Sequence, residues 1–431
     1  MNFYENLVNN FSKVVADQIS KALNEERVYS LYLNTNKMTR REFYSRFPDV
    51  HSHPLVDNGF YYDKKQYDFG RHYLHDLGVY YIQEPAAMSI VSLLNIRPGD
   101  YVLDMCAAPG GKTLQAALKV TQEGVVLAND ISHSRALTLS QNVERMGMRN
   151  IIVVNNNLAD IYPFYLNTFD KIILDAPCSG SGMFRKDEKM IDDWSYHKVL
   201  TCKQSQIALL ELAYAMLKPG GTIAYSTCSF SKEENEDVVN HLLTKSDAYL
   251  LEINEFLGIY RSLHLQNAIY FLPSLFKGEG QFLALIKKPG KSLKTKYVTS
   301  SYKGRYQTIL QQYNLIHRHN REIGDSLYSL NWQVNTDHLN VIRYGVRAFD
   351  DINKTIKPHH HLAHYLDASQ SISLDESSFR KYLAGETLNY QIDKSYHLVS
   401  YQQVNVGFVR SANNTLKNLL PKGLRRRSIS G

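Results

Sequence analysis

The stretch Tyr101–Thr113, YVLDMCAAPGGKT, constrains the chain most. Val102 and Leu103 are strand formers, Asp104 closes the strand, and a run of small residues leads into a helix. Ala107, Ala108, Gly110 and Gly111 let a ligand approach the backbone. Amide groups at the start of the next helix can hold a carboxylate, while a carboxylate on a neighbouring strand end holds a ribose. The glycines of a G-x-G-x-x-G dinucleotide fingerprint are absent, and Gly111-Lys112-Thr113 matches only the tail of a phosphate-binding loop. Taken alone, the turn leaves a cofactor site and a plain strand-to-helix connection equally open.

Its neighbours narrow the choice. From Val79 to Lys288 strands and helices alternate, the pattern of a mostly parallel sheet covered on both faces. Strands are expected at Tyr101–Met105, Val125–Asn129, Ile151–Val154, Lys171–Asp175, Gly221–Ser226 and Phe282–Lys287, with helices clearest at Ser134–Met146 and Leu200–Leu217. Ligands of such sheets bind beyond the carboxyl ends of the strands. Asp130 follows the second strand, 26 positions after Asp104, near the ~20-residue spacing of a ribose-gripping carboxylate. It also suits a helix cap, as does Ser132. Asn155, Asn156 and Asn157 after the third strand serve either an adenine edge or a turn.

At 431 residues the chain calls for two or three domains. Residues 2–25 place apolar side chains at helical spacing, so one amphipathic helix without chemistry of its own is expected. Arg27–Asn34 alternates as a strand, a helix starts near Thr39, and His51–His75 is polar, aromatic and irregular, as in a connector or a substrate-facing surface. The resulting division is an N-terminal α+β lobe over 1–75, a catalytic domain over 76–288 and a C-terminal region over 289–431. Pro289–Lys296 is a basic linker, Tyr396–Ser400 and Val404–Val409 are strands, and Lys417, Lys422, Arg425, Arg426 and Arg427 form either a phosphate-meeting end or a solvated tail.

The net charge of +7 is compatible with a nucleic-acid partner and with an ordinary lysine-rich surface. With no run of eighteen apolar residues and no secretory start, the expectation is a cytoplasmic protein with no membrane partner. Cys106, Cys178, Cys202 and Cys228 lack the pairing of a zinc site. His359, His360, His361 and His364 lack the glutamate of an H-E-x-x-H site, so no metal is expected and a histidine-rich helix start after Pro358 is the plainer reading.

Two segments outrank the rest. The fourth strand ends in DAPCSGSG (175–182) and the fifth in STCSF (226–230), so each carries a cysteine just beyond a strand end, facing one crevice. A cysteine kept only for packing would sit within an element, as Cys202 does in the helix region. With DMCAAPGGKT (104–113) and YYIQEPAAM (80–88), these motifs resemble, over roughly residues 25–288, the RNA cytosine-5 methyltransferases of the Sun/Fmu group. The nearest resemblance is to the bacterial 16S ribosomal-RNA branch with the Fmu and YebU-type enzymes, and 417–425 resembles that branch's C-terminal domain in Gram-positive bacteria.

The resemblance implies an α/β fold: a Rossmann-like S-adenosylmethionine-dependent core, a small N-terminal α+β lobe and a C-terminal PUA-like RNA-binding domain after a further small lobe. It implies S-adenosyl-L-methionine as cofactor, held by Cys106, Ala107, Ala108, Pro109, Gly110, Gly111, Lys112, Asp130, Arg135, Asn157 and Asp175. Cytosine C5 is too weak a nucleophile for a methyl sulfonium until a thiolate adds at C6. By resemblance Cys228 is that thiolate, Cys178 assists release, Asp175 binds the N3/N4 edge of the base, and Lys112 neutralises that edge or the Asp175 charge. The implied product is 5-methylcytosine in 16S rRNA, in free RNA or in the small ribosomal subunit. The alternatives are the same chemistry on tRNA, or a ribosome-assembly RNA-binding protein without catalysis, which would need no pair of thiols. An amino-group methyltransferase would end its fourth strand in an N-P-P-Y-type motif, where this chain has Asp175-Ala176-Pro177-Cys178. One departure stands out: the family's R-x-N-T is here Tyr32-Leu33-Asn34-Thr35.

Overall fold

A computed structural model describes residues 1–186, 189–291, 302–315, 318–390, 392–393, 395–412 and 414–425. The expected linker positions 292–296 and the basic residues Arg426 and Arg427 lie outside them.

The first sheet is small and antiparallel. Its strands β1 (Tyr29–Leu33), β2 (His51–Ser52), β3 (Gly59–Tyr62) and β4 (Tyr80–Ile82) lie in the order β2-β3-β1-β4. The stretch expected to be an irregular connector thus supplies two strands, because Gly59–Tyr62 pairs along β1 and buries Phe60. The single N-terminal helix is also corrected: Phe3–Asn10 and Lys13–Ala22 are separate helices. Ser12 caps the second by accepting from the Val15 amide, 3.3 Å. Asn10 is buried, its Nδ2 donating to the Phe230 carbonyl at 2.7 Å, so this end of the chain supports the loop that carries Cys228.

The central sheet holds β5 (Tyr101–Asp104), β6 (Val125–Asn129), β7 (Ile151–Val154), β8 (Phe169–Asp175) and β9 (Leu217–Thr227), parallel in the order β9-β8-β5-β6-β7. Their side chains, from Val102 to Ile173 and Ala224, are almost wholly excluded from water, as a sheet covered on both faces requires. The expected helices are present at His133–Arg145 and Tyr196–Met216. The helix ends at Met216, and Lys218-Pro219-Gly220-Gly221 directly after it belongs to the long strand β9. Beyond β9 the sheet turns antiparallel through β10 (Tyr249–Leu250), β11 (Ile259–Arg261), β12 (Ile269–Phe271) and β13 (Gln281–Lys287).

The C-terminal third folds onto this core. One four-stranded sheet is built within His319–Pro358, and strand Val341–Tyr344 of the same span instead pairs antiparallel with β7 at the edge of the central sheet. A five-stranded sheet follows, in which Tyr396–Tyr401 and Val404–Ala412 pair antiparallel as expected. Phe379 and Tyr401 stack at 4.0 Å between ring centres, and both rings meet Tyr73. Leu31 and Tyr80 of the N-terminal sheet, and Phe43 of the helix Arg40–Arg46 beside it, therefore share one apolar cluster with Phe379, Val399 and Leu416.

The histidine-rich segment is an interface. Arg343 donates to His361 Nδ1 (2.7 Å) and to Glu144 Oε2 (2.5 Å), leaving His361 Nε2 to donate to the Met148 carbonyl, 3.1 Å. His364 lies 3.3 Å from the buried Lys37 amine and 3.2 Å from His360. Burial lowers His359 and His360 from 6.5 to about 4 and pushes His361 and His364 well down, while the Arg343 guanidinium, prevailing over burial, holds Glu144 down at about 2. The unfolded chain then binds more protons in acid than the folded one, so stability present above pH 6.5 is lost as pH falls towards 4. His360 alone accounts for up to about 3 kcal/mol. Melting temperatures measured from pH 7 to pH 4.5 should fall steeply, and His360→Gln should flatten the slope.

Candidate active site

The turn after β5 is built to bring backbone close to a ligand. Gly110 has φ +120°, in the region that favours glycine, and begins the helix Gly111–Val120. A Cβ on Gly110 would meet Leu139 at 2.8 Å, and one on Gly111 would meet Gln83 at 3.0 Å. Asp104 is buried at the end of β5, where Oδ2 accepts from Thr113 Oγ1 at 2.6 Å and Oδ1 has no partner. Burial, opposed by the Thr113 hydrogen bond, raises its carboxyl to about 7.

Asp130 and Arg135 bracket the same turn. Asp130 is buried and accepts from the Ala108 amide at 3.3 Å and, in the turn before the helix, from the Ser132 amide at 3.0 Å; Ser132 holds the N-cap position, with no side-chain cap bond. Arg135 donates to the Ala108 carbonyl at 2.6 Å and lies 3.5 Å from Asp130. The asparagines act as turn residues: Asn155 donates to the carbonyls of Asp130 and Ile131, and Asn156 accepts from the Asn340 amide. Asn157 is exposed and accepts from the Ala159 amide at a helix start, apart from the cavity described next.

A cavity of about 240 Å³ opens beside the turn, lined by Asp104, Cys106–Pro109, Gly111, Lys112, Asp175 and Cys228 together with Tyr81–Glu84 and Gln281. Glu84 also caps the helix Pro85–Leu93, accepting from Ala86 and Ala87. Asp175 closes β8 and takes three hydrogen bonds: from Lys112 Nζ (2.7 Å), Ser226 Oγ (2.7 Å) and Gln281 Nε2 (3.0 Å). Burial works against the Lys112 charge, but Asp175 and Asp104 outweigh it and raise the ammonium above its ordinary range. Cys106 is pushed up by burial and by the nearby carboxylates.

The two cysteines of the strand ends meet. Cys178 Sγ and Cys228 Sγ are 3.1 Å apart; Cys228 lines the cavity, and Cys178 stands beside it outside the lining. The hydrogen bond with Cys228, then burial, push the Cys178 thiol well up.

Both cysteine loops are tied to one acid that the sequence did not mark. Glu234, wholly buried, accepts from the Ser179 amide (2.7 Å), Ser179 Oγ (2.5 Å), Ser229 Oγ (2.5 Å) and Gln206 Nε2 (3.2 Å). Burial raises its carboxyl while these donors oppose the shift. Gly182 closes the contact, its amide donating to the Cys228 carbonyl at 2.7 Å, where a Cβ would meet that carbonyl at 2.8 Å. Gln281 was missed as well, one residue before the expected start of its strand. Tyr32, at the departure from R-x-N-T, is buried against Val56 and Met88, away from the cavity.

A parallel sheet in the order β9-β8-β5-β6-β7 extended by antiparallel β13, with a glycine turn after β5 and acids at the ends of β5, β6 and β8, defines a Rossmann-like methyltransferase of the S-adenosylmethionine-dependent class. The chain belongs to the RsmB/F family of 16S rRNA methyltransferases, whose model matches residues 91–287. The N-terminal domain of 16S rRNA methyltransferase RsmF matches residues 1–85, and the methyltransferase RsmF PUA domain matches 369–426. The ribosomal RNA small subunit methyltransferase F of Vibrio parahaemolyticus is 31% identical over 92% of this chain and 91% of its own. That of Shewanella loihica is 29% identical over 99% and 96%. A methyltransferase homolog protein of Pyrococcus horikoshii is 30% identical with a TM-score of 0.57, covering 66% of this chain and 98% of its own.

Removing the acid that joins the loops should be costly. Glu234→Ala leaves buried hydroxyls and an amide without acceptors and should destabilise the protein by about 3 kcal/mol, read from urea unfolding midpoints. Glu234→Gln, which keeps one acceptor oxygen, should cost less.

Proposed function

We propose that the protein forms 5-methylcytosine in 16S rRNA with S-adenosyl-L-methionine as donor. The observation that carries this reading is the pair of sulfurs 3.1 Å apart at the end of a cavity whose other wall is Asp175 and Lys112. An amino-group transfer needs no thiol, whereas attack through C5 needs one to add and a way to expel it. The 16S substrate follows the names of the relatives and the RNA-binding PUA domain.

When bound, the cofactor would supply an electrophilic methyl group. The glycine turn Cys106–Gly111 offers it close backbone approach, Asp130 a buried carboxylate, and the unpartnered Asp104 Oδ1 an acceptor for an α-ammonium group. Arg135 supports the turn through Ala108, and Asn157 orders the following helix start.

On the base side, an N3-protonated cytosine presents two donors, N3–H and N4–H, to the Asp175 carboxylate, where uracil would present O4. Lys112 donates to that carboxylate at 2.7 Å. Cys228 adds to C6 as the thiolate, which places electron density on C5 for methylation. The C5 proton then passes to solvent water, its electron pair restores the C5–C6 double bond, and the C6–S bond breaks to expel Cys228 as a thiolate. Cys178, held protonated by its neighbour and by burial, is the acid beside the departing sulfur. The target base must leave any helix to reach this cavity.

Two outcomes follow. With 16S rRNA, small subunits, tRNA and cofactor supplied, Cys178→Ala should accumulate RNA covalently held on Cys228, seen as a denaturant-resistant complex, while Cys228→Ala should form none and methylate nothing. Sequencing the held RNA should return one 16S segment; tRNA instead would change the substrate and keep the chemistry. Cofactor affinity, measured by calorimetry, should rise with pH through about 7 as Asp104 ionises, and Asp104→Asn should bind weakly at all pH values.

A further inference from the structure

A larger cavity lies elsewhere. A groove of about 1110 Å³ lies between the N-terminal sheet and the segment before β13, lined by Arg27, Tyr29, Tyr61, Lys64, Phe276 and Lys277. That size is at the upper end for a bound small molecule and suits an extended ligand. Arg27 and Lys64 both lie 5.2 Å from the centre of the Tyr29 ring. Tyr61 stacks on the buried His53 at 5.2 Å, which fixes its ring.

The groove's charges are unequally matched. Lys65 pairs with Glu26 at 3.3 Å, and Asp63 accepts from the Lys65 amide. Among the described residues no carboxylate oxygen lies within 4.0 Å of the side-chain nitrogens of Arg27, Lys64 or Lys277. Arg27 Nε and Tyr61 Oη are buried polar atoms with no hydrogen-bond partner, a costly state that an incoming acceptor relieves. Cations beside fixed aromatic rings, with unmet donors between them, match a chain carrying both phosphates and flat bases.

The groove is also wired to the candidate active site. Lys277 is four residues from Gln281, a backbone reach of at most roughly 14 Å. Between them the Gly278 carbonyl accepts from Arg185 and the Glu279 amide donates to Glu84, while Gln281 itself holds Asp175. On the other side β1 runs from Tyr29 to Ser30, whose carbonyl accepts from the amide of Gln83 in the cavity wall.

We propose that this groove binds unpaired nucleotides of the RNA that flank the target base, with Arg27, Lys64 and Lys277 on phosphates and Tyr29 and Tyr61 against bases. The inference rests on the reading of the protein as an RNA methyltransferase. An acidic protein segment would meet the cations but would leave the rings without flat partners.

The test uses the full chain and a fluorescent single-stranded polyuridine oligonucleotide, which contains no cytosine for the thiols to attack. Lys64→Gln with Lys277→Gln, both at exposed positions, should make the salt dependence of binding shallower by about 1.4 in log K against log salt, two phosphate contacts on a single strand. Lys13→Gln with Lys21→Gln, the same loss of charge from the second helix, should leave the slope unchanged. For methylation of 16S rRNA the groove variant should raise KM five- to tenfold with kcat unchanged. An unchanged slope overturns the proposal, as does a loss confined to binding of ribosomal proteins. A changed slope in a protein that methylates no RNA would keep the groove and remove the proposed reaction.

Discussion

Four hydrogen bonds to one buried carboxylate tie together the two cysteine loops of the candidate active site. Glu234 takes donors from Ser179 and Ser229, each the residue after a cysteine, so the ends of β8 and β9 share one acceptor. The spacing of the sulfurs is set by this clamp more than by the strands, whose parallel register only brings Asp175 opposite Ser226. A buried, ionisable acid is a hazardous choice for a core, and here its cost is offset by donors from three separate elements. The same acid is reached by Gln206 of the long helix, which also donates to the Pro177 carbonyl.

A second layer of support comes from the chain's beginning. Asn6 and Asn10 reach the loop after Cys228 through Ser231 and Phe230, and Asn10 also donates to Tyr270. The active-site loops are therefore fixed from below by Glu234 and from the side by a segment more than two hundred residues distant in sequence. In the proposed reaction, where one sulfur adds and the other stands ready, such pre-organisation keeps the two within a hydrogen bond's length.

Much of this was legible because the chemistry sits where local sequence is most constrained. The glycine turn, Asp130, Asp175 and both cysteines lie at strand ends, and strand ends follow from apolar runs bounded by small or acidic residues. Glu234 was not legible, since Lys232-Glu233-Glu234-Asn235-Glu236 reads as a solvated charged stretch until the two serines fold over it. The break between the first two helices was hidden for a similar reason: apolar spacing continues across Phe11 and Ser12, and only the distant acceptor of Asn10 and the cap at Ser12 end the helix. The strand Val341–Tyr344 was beyond reach because its partner β7 lies nearly two hundred residues earlier, and pairing at that separation leaves no local signature.

The apolar cluster shared by the N-terminal sheet and the C-terminal domain has a consequence for biosynthesis. Roughly 290 residues separate Ile82 from Ile372, the first residue of that cluster contributed by the C-terminal side. At 5–20 residues per second, the earlier half of the cluster waits on the order of 15–60 s for its other half to leave the ribosome. Through that interval the face of Tyr73 and Leu74 lacks Phe379, the ring that covers Tyr73 in the folded chain.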